Sequence, residues 1–192
     1  MFISTLSSRA WLGLRLAPIV IAWLAVILVL STPVRAQAAN LVSCTGTETV
    51  SFAPGLTNTP HPLTVTTADN FPVCIHASAP ILMPATAQAQ ISRTASCLDL
   101  LGGGPGTRVL HWANGQTSTY SFVSSANVVN GNIVTVSTGT ITDGLYKGAS
   151  ATGNVVLTPL LANGTLNLND TCNSAQGMIS ASGTYIFNVL PL

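Results

Sequence analysis

Four dipeptides punctuate this chain and constrain it more than any other feature: Asn114-Gly115, Asn130-Gly131, Asp143-Gly144 and Asn163-Gly164. Each supplies the positive φ that a type I′ turn demands, and such turns join antiparallel strands because their twist matches that of the strands they connect. From Asn40 onward Thr, Val, Ser and Ile fill the stretches between the turns, and helical periodicity is absent. A spacing of 13 to 20 residues between these signals predicts a meander. About nine strands fit the chain, with Gly102-Gly103-Gly104-Pro105-Gly106 as a further turn.

Two-residue loops also set register, since residues equidistant from the loop oppose each other and share a sheet face. Around Asn114-Gly115 this places Val109 opposite Tyr120 and Trp112 opposite Thr117. Carried across Asn130-Gly131 and Asp143-Gly144, the same count predicts a core face of Val109, Tyr120, Phe122, Val128, Ile133, Ile141 and Tyr146. The other face takes Arg108, Leu110, Trp112, Thr117, Thr119, Ser121, Val134, Val136, Thr138 and Lys147, and reads as the solvent side. At the chain ends Val42, Cys44, Val50 and Phe52 alternate inward, as do Ile179, Ala181, Tyr185, Phe187 and Val189. The expected fold is all-β: an antiparallel β-sandwich or a barrel, built from meander hairpins around one core.

Residues 1–38 read as a signal peptide. Arg9 and Arg15 precede an apolar run from Leu16 to Leu30, Pro33 breaks it, and Ala36-Gln37-Ala38 offers small residues for cleavage. An uncleaved anchor is the competing reading, but a span from Trp11 to Leu30 would hold Arg15 and Pro18 inside hydrocarbon. Residues 39–192 then form a single secreted domain with no membrane segment. Cleavage removes Arg9, Arg15 and Arg35, leaving three basic residues against five acidic ones and a net charge of −2. A chain that is only 6% charged and lacks a basic patch is not expected to bind nucleic acid or anionic lipid.

All four cysteines, Cys44, Cys74, Cys97 and Cys172, lie beyond the leader. An even number in an exported chain predicts two disulfides, with three pairings open. No C-x-x-C occurs, and His61, His76 and His111 are scattered without ligand spacing, so neither metal nor cofactor is expected.

Where charge is this scarce, its position is informative. Glu48 falls on the apolar side of the first strand, and Arg93 on the apolar side of Ala85, Ala87, Ala89 and Ile91. An unpaired buried ion is costly, so the two are expected to pair, or to reach a rim or a wet cavity where they would gate a ligand pocket. Catalytic patterns are sparse. Asp143, Asp170 and Asp69 sit in turn-like contexts, and no G-x-S-x-G elbow appears. The glycines of 102–106 lack the Lys-Ser/Thr signature of a phosphate loop. Glu48, Asp99 and His111, with His76 as another base, are the best acid-base groups on offer; they do not amount to a motif, and the chain is read as a non-enzyme.

Two features point to binding. Trp112, beside Arg108 and Leu110 on the hydroxyl-rich outer face, would offer a flat aromatic surface to a sugar ring or a protein partner. The segment Ser78-Ala79-Pro80-Ile81-Leu82-Met83-Pro84 fences an apolar triplet with prolines, and Ile81, Leu82 and Met83 could present an extended loop to a protease cleft. Scarce lysine on edge strands also suits a structural coat protein.

The residues Cys44-Thr45-Gly46-Thr47-Glu48, Pro54-Gly55-Leu56-Thr57, Ser96-Cys97-Leu98 and Trp112-Ala113-Asn114-Gly115-Gln116-Thr117-Ser118 together resemble a group of small exported actinobacterial proteins of uncharacterised function. That resemblance implies export, a disulfide-stapled β domain and an extracellular or envelope setting, and lends no activity. The sequence thus predicts a secreted, non-enzymatic binding module for polysaccharide or a secreted protein, with protease inhibition through 78–84 and a coat role as alternatives. The sequons at Asn163 and Asn169 are expected to stay unmodified.

Overall fold

The computed structural model describes residues 41–77, 79–160 and 168–191. The leader, 1–38, and the Asn163-Gly164 turn lie outside the described residues. Nine strands are present among those described: β1 (Val42–Leu56), β2 (His61–His76), β3 (Ala79–Leu82), β4 (Ala85–Ala95), β5 (Gly104–Trp112), β6 (Thr117–Val129), β7 (Asn132–Gly144), β8 (Ser150–Leu160) and β9 (Met178–Leu190). A 3-10 helix (Cys97–Leu101) follows β4, and a short helix α1 (Leu168–Asn173) precedes β9.

Every ladder in this meander is antiparallel, and β1 bonds to both β2 and β9. That double pairing closes eight strands into a barrel, so of the two architectures expected it is the barrel that forms and not the sandwich. Pairing of β1 with β9 removes the exposed edges that the two terminal strands of an open sheet would have, in a protein with a single lysine to guard them. The short β3 lies along the end of β2, where Ile75 pairs with Leu82. One seam is thin: β4 and β5 pair only at Ala85 with Trp112 and at Thr86 with His111. Below those pairs β4 has no ladder partner on that side, and the 3-10 helix follows it across the gap.

Turn chemistry decides which side chains enter the barrel. Asn130 (φ 51°) and Gly131 (φ 80°) form the two-residue loop expected between β6 and β7, and Val129 pairs with Asn132. The β5–β6 turn differs. The Trp112 N–H donates to the Gln116 carbonyl at 2.9 Å and the Gly115 N–H donates to that of Trp112 at 2.9 Å, so the loop is Ala113-Asn114-Gly115, with Gly115 at φ 83°. One extra loop residue shifts the pairing by one, and Arg108, not Val109, lies opposite Tyr120. A one-residue slip exchanges the two faces of a strand. Leu110 and Trp112, expected outside, are therefore 1% and 3% exposed, whereas Val109, expected in the core, is 37% exposed.

Asp143-Gly144 also departs from the two-residue turn expected of it. Gly144 still pairs with Ser118, past a bulge at Thr119, and the chain reverses later, where the Gly148 N–H donates to the Ile141 carbonyl at 2.8 Å. Of the remaining expected core, Tyr120, Ile133 and Ile141 are buried, Phe122 and Tyr146 pack partly buried against it, and Val128 is exposed at a barrel end. The inward residues of β1 and β9 follow the expected alternation, except that Met178 is fully buried where Ile179 was expected. Phe71, Tyr120, Tyr185 and Phe187 fill the middle, with ring centroids 4.9 Å apart for Phe71 and Tyr185 and 5.2 Å for Tyr120 and Phe187.

Both disulfides form. Cys44 and Cys74 are direct cross-strand partners on β1 and β2, near the upper end where β1 begins. Cys97 and Cys172 tie the 3-10 helix to α1 at the lower end. Two disulfides fit an oxidising, extracellular environment. Among the described residues no helix is long and apolar enough to cross a membrane.

Candidate functional site: an ion triad above an apolar cavity

Glu48 and Asp69 are cross-strand partners on β1 and β2, and both point into the barrel. Each lies on the apolar parity of its strand: Glu48 alternates with Val50 and Phe52, Asp69 with Val65 and Phe71. Between them and β5, the buried side chains of strand β4 are all alanines, Ala85, Ala87 and, at its lower end, Ala95, which leaves room for a long residue from β5. Arg108 takes that room. Its Nη1 donates to Glu48 Oε2 at 2.9 Å and to Asp69 Oδ2 at 2.7 Å, while its guanidinium carbon stands 5.8 Å from the centre of the Tyr185 ring.

The inward-facing charge of Glu48 is thus paired, but with Arg108 and not with Arg93. The difference follows from the β5 slip, because a register that turned Arg108 outward removed it as a partner. Sequence reading missed Asp69 altogether, taking Ala68-Asp69-Asn70 for a turn; its alternation with Leu63, Val65 and Phe71 was the signal that places it inside.

Electrostatics of the triad follow from its arithmetic of one cation and two carboxylates. Burial raises the Asp69 pKa from 3.8 to about 7, with the negative charge of Glu48 adding to the rise and Arg108 opposing it. Burial alone would weaken the charge on Arg108, but Glu48 and Asp69 outweigh it and hold the guanidinium more firmly protonated than usual. Burial also pushes the Tyr185 hydroxyl up, so it stays neutral beneath the cation. Asp69 Oδ1 is buried without a hydrogen-bond partner. Burial thus favours a proton on Asp69 up to near-neutral pH.

Below the triad the barrel interior is not filled. A cavity of about 210 Å³ opens toward the lower end. Val50, Phe52, Leu56, Val65, Ala126, Ile133, Leu157 and Ala181 form its walls, and Glu48 is its innermost polar group. Arg93, Ser96, Asp99 and Ser124 also line it, and Ile91 and Arg93 face it from the unpaired part of β4. Asp99 caps the 3-10 helix: its Oδ2 accepts from the Ser96 N–H at 2.6 Å and from the Ser96 hydroxyl at 2.8 Å. Those hydrogen bonds hold its carboxyl below the usual range, with Arg93 adding a smaller pull.

The upper end is plugged. Trp112 Nε1 donates to Ser118 Oγ at 2.8 Å, and that hydroxyl donates to the Leu145 carbonyl at 2.6 Å. The indole packs edge-on against both His76 and Tyr146, and the Tyr146 hydroxyl bonds to His76 Nδ1. Burial lowers the His76 pKa, so the imidazole is neutral at physiological pH.

The sequence-predicted sites are thus dispersed and partly inverted. Trp112, Leu110 and Arg108, taken as an outer binding surface, are interior residues. Glu48, Arg93 and Asp99 share one cavity, whereas His111 lines a separate pocket of about 540 Å³ with Asp69, Thr86 and Gln88. The segment containing Leu82 is a strand paired with β2: Leu82 is 58% exposed, Met83 packs against the core, and the Met83 N–H donates to the Cys74 carbonyl at 3.2 Å. No family model matches the chain, and no curated protein or solved structure matches it.

Proposed function

We propose that the chain is a secreted, non-enzymatic binding protein that encloses a small, largely apolar molecule in the lower half of its barrel. The observation that carries this reading is the cavity of about 210 Å³, walled by aliphatic and aromatic side chains and ending on a single buried acid. Eight-stranded barrels have interiors just large enough to be filled by side chains or to hold one small ligand. Here the upper half follows the first course and the lower half the second. A cavity of about 150 Å³ accepts benzene, so this one suits roughly eight non-hydrogen atoms. At about 0.6 kcal/mol per atom, within the range small ligands reach, the dissociation constant would be on the order of hundreds of micromolar.

Export supports the same reading from another direction, since the leader at 1–38 and the disulfides suit a protein that works outside the cell. An outer polysaccharide site loses its aromatic platform with Trp112 inside, so the ligand is placed in the interior. Two measurements test the proposal. Ethylbenzene at millimolar concentration should raise the melting temperature of the oxidised protein and shift NMR signals of Val50, Ala126 and Leu157. The cavity-filling Ala126→Phe should abolish both effects while leaving the far-UV spectrum unchanged. Absence of any ethylbenzene effect on the unaltered protein removes the proposal. The intact mass of the exported form checks the leader, and a retained leader refutes secretion as a free protein.

A further inference from the structure

Resting on the cavity reading, we infer that the ligand carries a hydrogen-bond-donating head group, a primary amine or a hydroxyl, seated against Glu48, and that anionic amphiphiles are refused. The inner end of the cavity is lined by Glu48 and not by Arg108. Arg108 Nη1 is occupied by both carboxylates, and the guanidinium stands over Tyr185, so the cation is turned away from the ligand space. What the cavity offers at depth is an acceptor. The Glu48 side chain keeps about 10% of its surface open.

Charge balance points the same way. The triad holds two carboxyl groups for one guanidinium. An entering ammonium matches two acids with two cations, and a hydroxyl adds a donor at no cost in charge. A carboxylate head would instead set three acids against one cation in a region of low dielectric, where an uncompensated buried charge is strongly disfavoured. The mouth does not reverse this preference, because Arg93 there lies close enough to Asp99 to favour its ionised form.

A set of molecules of matched size, namely 2-phenylethylamine, 2-phenylethanol, propylbenzene and phenylacetate, tests the inference by calorimetric titration of the oxidised protein at pH 7.5. The amine should bind at least tenfold more tightly than phenylacetate, with the alcohol between them. In Glu48→Gln the amine should lose at least tenfold while propylbenzene keeps its affinity. Phenylacetate binding as tightly as the amine on the unaltered protein overturns the inference while leaving the cavity reading intact, and needs no variant to fold. Amine preference that survives in a folded Glu48→Gln does the same. If none of the four binds, propylbenzene included, the cavity reading falls and this inference falls with it.

Discussion

Asp69→Asn isolates the buried acid of the triad with little change of shape. The amide oxygen can accept from Arg108 as Oδ2 does now, and the amide nitrogen can donate toward Glu48, so the variant mimics the protonated acid. In the native protein burial raises the Asp69 pKa from 3.8 to about 7. A carboxyl whose folded pKa is raised binds its proton more tightly folded than unfolded. Its contribution to stability is therefore fully present below about pH 4 and is lost as pH rises through 7. About three pKa units at about 1.4 kcal/mol each make that loss about 4 kcal/mol. Little is subtracted for solvent screening, because the side chain is only 1% exposed. Asparagine has no such loss, and Glu48, present in both proteins, cancels to first order. Urea unfolding of the oxidised proteins should thus show the stability difference moving in favour of Asp69→Asn by about 4 kcal/mol between pH 4 and pH 7.5, and holding steady above that. A difference that is flat with pH, or that moves toward the native protein, would mean Asp69 is ionised and stabilised by Arg108, and would refute the reasoning.

Arg108→Met leaves two facing carboxyl groups with no cation and should cost about 3–5 kcal/mol at pH 7.5; the same urea series measures it. Trp112 is the only tryptophan beyond the leader, so the processed protein should emit at short wavelength and resist iodide quenching, and Trp112→Ala should lower unfolding free energy by about 3–5 kcal/mol. Ready quenching would place the indole outside after all. Replacing Cys97 and Cys172 together by alanine opens a crosslink spanning 75 residues and should cost about 4 kcal/mol, read as a fall in melting temperature.

Local chemistry was legible in the sequence and closure was not. The β6–β7 turn, the alternation of β1 and β9 and the engagement of all four cysteines follow from neighbouring residues, whereas Ala68-Asp69-Asn70, read as a turn, lies within β2, and Gly104-Pro105-Gly106, read as part of a turn, opens β5. Asn114-Gly115 misled because an Asn-Gly dipeptide fits a three-residue loop, with glycine in the left-handed position, as readily as a two-residue one. A better signal stood beside it. Leu110 and Trp112 are more apolar than Val109 and His111, and burial outweighs turn preference when the two disagree. The triad stayed hidden as a direct result, since its cation was counted as solvent-facing and one of its acids as a turn residue. Pairing of β1 with β9 joins segments more than a hundred residues apart, and no pattern within a single strand encodes it.

The thin contact between β4 and β5 sets how the molecule can breathe. Around the rest of the ring each strand is zipped to its neighbours over eight or more residue pairs, so parting any of those boundaries means breaking a long ladder together. Two residue pairs are a short latch. Parting of the staves therefore starts at this one joint, between the tryptophan plug above it and the Cys97–Cys172 strap below.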